Sequence, residues 1–208
     1  MRSEPQVSLR QQSNIEFVEA VMAATQLDPR TALIVVDLQK IVASMPSAHP
    51  FAEVLKNASR LADAFRQRDL PVILVNVVGM APGRTEQSRS GGDLPPDWSE
   101  LLPNLNQQPQ DHLVSKKTWG AFTNTGLEDY LKSAGITHVV VCGVATSVGV
   151  ESTARQAHEL GFNVTLAVDA MTDLGAEAHA NSVERIFPKL GETATTQDII
   201  DLLSTRDA

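Results

Sequence analysis

The chain has 208 residues, with 17 Lys and Arg against 25 Asp and Glu for a net charge of −8, 42% hydrophobic residues and a single Cys. That is enough chain to bury its own core without a disulfide or a structural metal. An acidic balance with no basic stripe argues against nucleic acid as a partner, and no apolar run approaches the roughly 20 residues of a membrane span. A small-molecule partner and a reducing, cytoplasmic setting are expected.

Residues 1–29 read as an N-terminal extension in which Asn14 caps a short helix with Ile15, Val18 and Met22 on its apolar side. Glu16 and Glu19 interrupt this stretch, which argues against a signal peptide. Residues 30–208 read as one domain. From residue 31 onward, apolar runs of strand length alternate with helical periodicity, the pattern of an α/β fold with a parallel sheet. The first strand is Ala32 to Val36, followed at once by Asp37. A helix with Val54, Leu55, Leu61 and Phe65 on one side leads to a strand from Val72 to Val78. Residues 79–110 are rich in Pro, Gly and polar side chains, as expected of a lid, a binding loop or an oligomer contact.

A strand from Asp111 to Ser115 leads to Lys116, a helix spans Thr123 to Ser133, and Gly135 stops it before the strand Thr137 to Cys142. The turn from Gly143 to Gly149 enters a helix carrying Val150, Ala154, Ala157 and Leu160. A strand from Asn163 to Val168 ends at Asp169, and a helical stretch runs from Ala176 to Phe187. Thr193 to Thr195 is a sixth strand, and Gln197 to Leu203 a closing helix.

In open parallel sheets, ligands bind beyond the carboxyl ends of the strands, where the strand order reverses. Asp37, Lys116 and the turn from Gly143 to Gly149 all fall at that edge. A carboxylate at a strand exit is partly desolvated, which makes Asp37 a candidate general acid or base; capping the next turn is the competing role. Lys116 taken alone reads as a surface charge, and Cys142 as a small buried hydrophobe. His49, His112, His138, His158 and His179 lack metal-ligand spacing, and the Gly-rich pieces match neither a P-loop nor a dinucleotide fingerprint. No metal and no cofactor are expected.

Three segments carry a resemblance: Ala32 to Gln39 (ALIVVDLQ), Lys116 to Phe122 (KKTWGAF) with Thr125 and Leu127, and Gly143 to Thr146 (GVAT) followed by Val150 to Arg155 (VESTAR). Together they resemble the isochorismatase-like hydrolase family over residues 30–200. The resemblance implies a three-layer α/β/α sandwich around a six-stranded parallel sheet, assembled as a homo-oligomer, a dimer or a tetramer. Most members use an Asp, Lys and Cys triad to hydrolyse amides through a thioester. By position the Asp is Asp37 and the Lys is Lys116, while Lys117 falls on a variable position and Gly149 takes the place of the Cys. Without that thiolate the thioester route is disfavoured, and Cys142, seven positions earlier on a strand, does not substitute. The Asp-x-His metal motif of nicotinamidases is absent as well.

Isochorismatases, by the same resemblance, carry Gly at this position, because vinyl-ether cleavage needs no covalent intermediate. Asp37 would then be the general acid, and Lys116 would steady it or bind a substrate carboxylate, although a nearby cation opposes protonation. The resemblance also implies a cis peptide before Ala145 and a pocket involving Gln39, Trp119, Phe122, Ala145, Thr146, Ser147 and Val148. Backbone N–H groups of residues 147–149 would hold an anion. For Trp119 and Phe122, core or interface packing is the alternative, and Glu151, Thr153, Arg155 and His179 read as structural. The competing functions are hydrolysis of some other small substrate, a non-catalytic small-molecule binding protein, and a Cys-to-Gly variant of a thiol amidase.

Overall fold

A computed structural model describes residues 24–86 and 94–205 of the chain. The helix expected after Asn14 lies outside the described residues. Six parallel strands form one sheet in the order β3-β2-β1-β4-β5-β6. They are β1 (Thr31–Val36), β2 (Val72–Val77), β3 (His112–Lys116), β4 (His138–Val144), β5 (Asn163–Thr172) and β6 (Glu192–Ala194). The helices are α1 (Lys40–Ala43), α2 (Phe51–Arg66), α3 (Leu127–Ser133), α4 (Glu151–Glu159), α5 (Ala176–Asn181) and α6 (Thr196–Ser204).

Every residue of β1 is buried, as its unbroken apolar run demands of a strand covered on both faces. Alternation then sorts the side chains. Leu33 and Val35 join the core under α2 and α6, with Leu61, Phe65, Ile199 and Leu203. Ala32, Ile34 and Val36 join the core under α3 and α4, with Leu127, Leu131, Ala154 and Ala157. This gives the expected three-layer α/β/α sandwich. No helix among the described residues is long and apolar enough to cross a membrane.

Several boundaries differ from the sequence reading. α3 begins at Leu127, not Thr123, because Asn124 (φ 56°) and Gly126 (φ 75°) hold the left-handed conformation and Thr125 Oγ1 donates to Ala121 O at 2.6 Å. Lys116 is the last residue of β3 and does not follow it. β4 continues through Gly143 and Val144, and β5 runs past Asp169 to Thr172. Asp169 is tolerated within a strand because its carboxylate accepts Thr196 N–H at 2.7 Å, Thr196 Oγ1 at 2.8 Å and Asn57 Nδ2 at 3.3 Å. β6 starts at Glu192, and the expected helix from Ala176 breaks after Asn181 into a π-helical turn and then a 3₁₀ turn. The short helix α1 is an addition to the expected elements.

At the centre of the sheet β4 lies against β1, with Gly143 opposite Val36. Gly143 has φ 119°, and a Cβ there would lie 2.0 Å from Val36 O. Neither the backbone conformation nor the space admits a side chain. Gly143→Ala is therefore expected to lose about 4 kcal/mol or more of stability, or not to fold, as read by urea denaturation.

Candidate active site

The strand order reverses between β1 and β4, and the residues after both strands meet there. Asp37 leaves β1 with φ 52°, its N–H bonded to Val75 O at 2.9 Å. From two strands away, at the exit of β3, the buried Lys116 reaches across, and its Nζ lies 2.8 Å from Asp37 Oδ2. Nζ also donates to Trp119 O at 2.6 Å. The other carboxyl oxygen, Asp37 Oδ1, is buried without a hydrogen-bond partner, the only such side-chain atom among the described residues.

Burial pushes the Asp37 carboxyl up to about 6, outweighing the charge of Lys116 and its hydrogen bond, which pull the other way. The competition flagged by the sequence is thus decided in favour of desolvation. Asp37 titrates close to the range useful to a general acid, and Oδ1 is the oxygen left free to carry the proton.

Gly149 sits directly against this pair. A Cβ at 149 would lie 3.0 Å from Val36 Cγ1, 3.2 Å from Asp37 Oδ2 and 3.3 Å from Val144 O. Gly149 belongs to a π-helical turn, Thr146–Val150, that links β4 to α4, and the Val144–Ala145 peptide is cis. Thr153 Oγ1 donates to Gly149 O at 2.7 Å and accepts Ala121 N–H at 3.1 Å, tying the glycine turn to the segment that follows Lys116. The single cysteine is not part of this arrangement. Cys142 is fully buried among the side chains under α2, where burial and the charge of Asp169 push its thiol up, away from the reactive thiolate.

The expected pocket residues divide. Thr146 is buried and bonded to His179, and Ala145 lies at the entrance to the turn. The expected anion cradle is largely occupied: Ser147 N–H donates to Asp173 Oδ2 at 2.6 Å, and Val148 N–H to Ala145 O at 3.1 Å. Phe122 lies in the core under α3, its ring centroid 6.1 Å from that of Phe162, the packing arrangement given above as its alternative. Trp119 is 66% exposed and meets the site through its backbone carbonyl. Glu151 is held by Ser182 and Arg155, the structural role read for it.

Gln39 is also structural. Its amide is fully buried, accepts Val77 N–H at 2.8 Å and donates to Val77 O at 3.1 Å and Trp98 O at 3.3 Å, clamping the end of β2 to the long loop. Sequence reasoning missed Asp173, buried at the exit of β5, because the earlier Asp169 fits a strand end equally well by hydropathy. It also missed the contact between His49 and His179, which are brought together from distant segments. Among the described residues no group of three His, Cys, Asp or Glu could hold a metal ion. Gln39→Ala is expected to cost about 1–3 kcal/mol in urea denaturation, because it strands buried backbone groups, with KM little changed.

Comparison with known proteins agrees with this geometry. The Isochorismatase domain family matches residues 31–198. The isochorismatase family protein YwoC of Bacillus subtilis is 36% identical over 179 residues, covering 83% of this chain and 93% of that protein. Nicotinamidase 3 of Arabidopsis thaliana is 32% identical over 157 residues, covering 71% of this chain and 76% of that enzyme. The structure of an isochorismatase family protein from Burkholderia thailandensis superposes with a TM-score of 0.82 at 39% identity, covering 86% of this chain and 98% of that one. With the parallel sheet and the Asp37–Lys116 pair at its switch point, these matches establish that the chain belongs to the isochorismatase family and is a hydrolase of that family.

Proposed function

We propose that the protein hydrolyses a vinyl ether of the isochorismate type, with Asp37 as general acid and no covalent intermediate. The observation that carries this reading is the buried Asp37 carboxyl, raised to about 6 with Oδ1 unpartnered. Beside it, position 149 offers no side chain at all. In the reaction, the alkene electron pair takes the proton from Asp37 Oδ1, forming a C–H bond at the vinyl CH2 carbon. The adjacent carbon becomes an oxocarbenium ion, which the Asp37 carboxylate and Lys116 face as a compensated pair. Water adds to that carbon and returns a proton to Asp37. The hemiketal then collapses: its hydroxyl oxygen forms the ketone C=O, the bond from that carbon to the ether oxygen breaks, and the hydroxyl proton passes to the departing oxygen, releasing pyruvate and a dihydrodiol.

Amide hydrolysis, the activity in the name of Nicotinamidase 3, is the second reading. Against it, the thioester route requires a thiolate beside Asp37 and Lys116, and the chain's single thiol lies in the core under α2.

Purified protein given isochorismate is expected to release pyruvate, followed with lactate dehydrogenase, and Asp37→Asn is expected to lower kcat/KM by about 10²–10⁴-fold. No release above the uncatalysed background removes this reading. Because the acid must be protonated, kcat/KM is expected to fall about tenfold per pH unit above the Asp37 value of about 6. Lys116 pulls that value down, so in Lys116→Met the break in the pH profile is expected to move to higher pH. A break that stays in place or moves down would show that the titrating group is not Asp37.

A further inference from the structure

Two histidines on the same edge of the sheet take no part in the chemistry above. His49 precedes α2 and His179 lies in α5, with their ring centroids 4.4 Å apart and the planes inclined by 60°. Each ring is tied through Nδ1 to a hydroxyl at a strand exit: His179 to Thr146 Oγ1 at 2.9 Å, and His49 to Thr172 Oγ1 at 3.1 Å. Thr146 opens the turn that carries Gly149, three residues on and so about 5–6 Å away between Cβ positions. Thr172 pairs with Val144, whose carbonyl oxygen is 3.3 Å from the Cβ position of Gly149. Each ring is thus linked through one hydroxyl to the backbone that runs beside Gly149.

The hydroxyls also bear on the tautomers. Thr146 is fully buried, and His179 Nδ1 is the one partner of its hydroxyl among the described residues. The hydroxyl proton therefore points at Nδ1, and the neutral ring carries its own proton on Nε2. Thr172 Oγ1 accepts His49 N–H at 3.1 Å, and its proton has His49 Nδ1 at 3.1 Å as a nearer acceptor than Asp173 O at 3.5 Å. With that shorter bond formed, the neutral His49 ring carries its proton on Nε2. Neither Nε2 has a partner among the described residues.

Burial and the His49 ring hold His179 below the usual histidine value, while Asp173 pulls the other way. The Asp173 oxygens are engaged by Ser147 N–H at 2.6 Å and Leu174 N–H at 2.8 Å, so its charge is compensated by backbone donors. No third His, Cys, Asp or Glu among the described residues completes a metal-binding group with the pair. What remains is two N–H donors on adjacent rings, a match for the two oxygens of a carboxylate.

We propose that His49 and His179 form an anion subsite of the Asp37 site and take a carboxylate of the substrate. This rests on the vinyl-ether reading, whose substrate is a dicarboxylate, and it meets a need that the rest of the site leaves open. Lys116 is committed to Asp37 and Trp119, and the N–H groups of Ser147 and Val148 are bonded within the protein.

The test is a long-range ¹H–¹⁵N spectrum of the histidine rings of the full chain, titrated with benzoate and with benzamide as its uncharged counterpart. Benzoate is expected to shift the Nε2 signals of both rings, assigned with His49→Gln and His179→Gln, and benzamide is expected to leave them in place. Each substitution is expected to weaken benzoate binding about tenfold and to raise KM for isochorismate more than it lowers kcat. His49 is on an exposed loop, so His49→Gln keeps the test open should His179→Gln fail to fold. Benzoate that moves neither ring, benzamide that moves both equally, or unchanged benzoate affinity in His49→Gln overturns the proposal. The two readings fail separately. Rings that engage benzoate in a protein releasing no pyruvate leave the subsite standing without the reaction. Pyruvate release with unmoved rings does the reverse.

Discussion

The contact between β1 and β4 at Val36 and Gly143 leaves no space for a side chain, and the site is organised around that close approach. Strand order runs outward in both directions from this line, so the connections diverge and leave a crevice above it. Asp37 enters the crevice from β1 and the glycine turn from β4. One glycine admits the close approach of the strands, and a second, Gly149, lets the returning turn settle against Asp37 within van der Waals distance. A bulky residue at either place would separate the elements whose contact defines the site.

Within the crevice the two oxygens of one carboxyl have different surroundings. Oδ2 meets Lys116, and Oδ1 meets no donor. A buried ion pair gives little net stability, because desolvation of both partners offsets most of their attraction. Here that balance raises the carboxyl to about 6, since burial outweighs Lys116. The lysine keeps the carboxyl from being pushed still higher, and its second bond, to Trp119 O, fixes where its charge is held. Acid strength at this position is thus set by opposed effects, and each can be altered by one substitution.

Much of this was legible in the sequence, for physical reasons. Unbroken apolar runs such as Ala32 to Val36 announce strands buried on both faces, and the charged residues at the ends of such runs mark the edge where ligands bind. Asp37 and Lys116 stood out in that way, and the order of motifs supplied Gly149. What failed was anything that depended on where hydrogen bonds go. The resemblance implies a pocket role for Gln39, yet its amide is consumed by backbone groups from β2 and the long loop. By position the N–H groups of Ser147 and Val148 suit a ligand anion, but Asp173 and Ala145 already accept those hydrogen bonds. Asp169 fits a strand end by hydropathy because no one-dimensional pattern shows that Asn57 and Thr196 satisfy it from other elements. For Phe122 the spacing from Lys116 is clear in the sequence, but the side of the sheet it faces is not.

The backbone at Asp37, with φ 52°, lies in the left-handed region that glycine and asparagine enter most readily. Local geometry therefore makes no demand for an acid there. The fold asks for one only through Lys116, whose buried charge needs a counterion. If both were exchanged together, glycine for the aspartate and an apolar residue for the lysine, the strain and the desolvation cost would leave at once. The chain would keep its sheet and its crevice and lose its reaction, so a silent scaffold with this same outline lies two coupled substitutions from the enzyme.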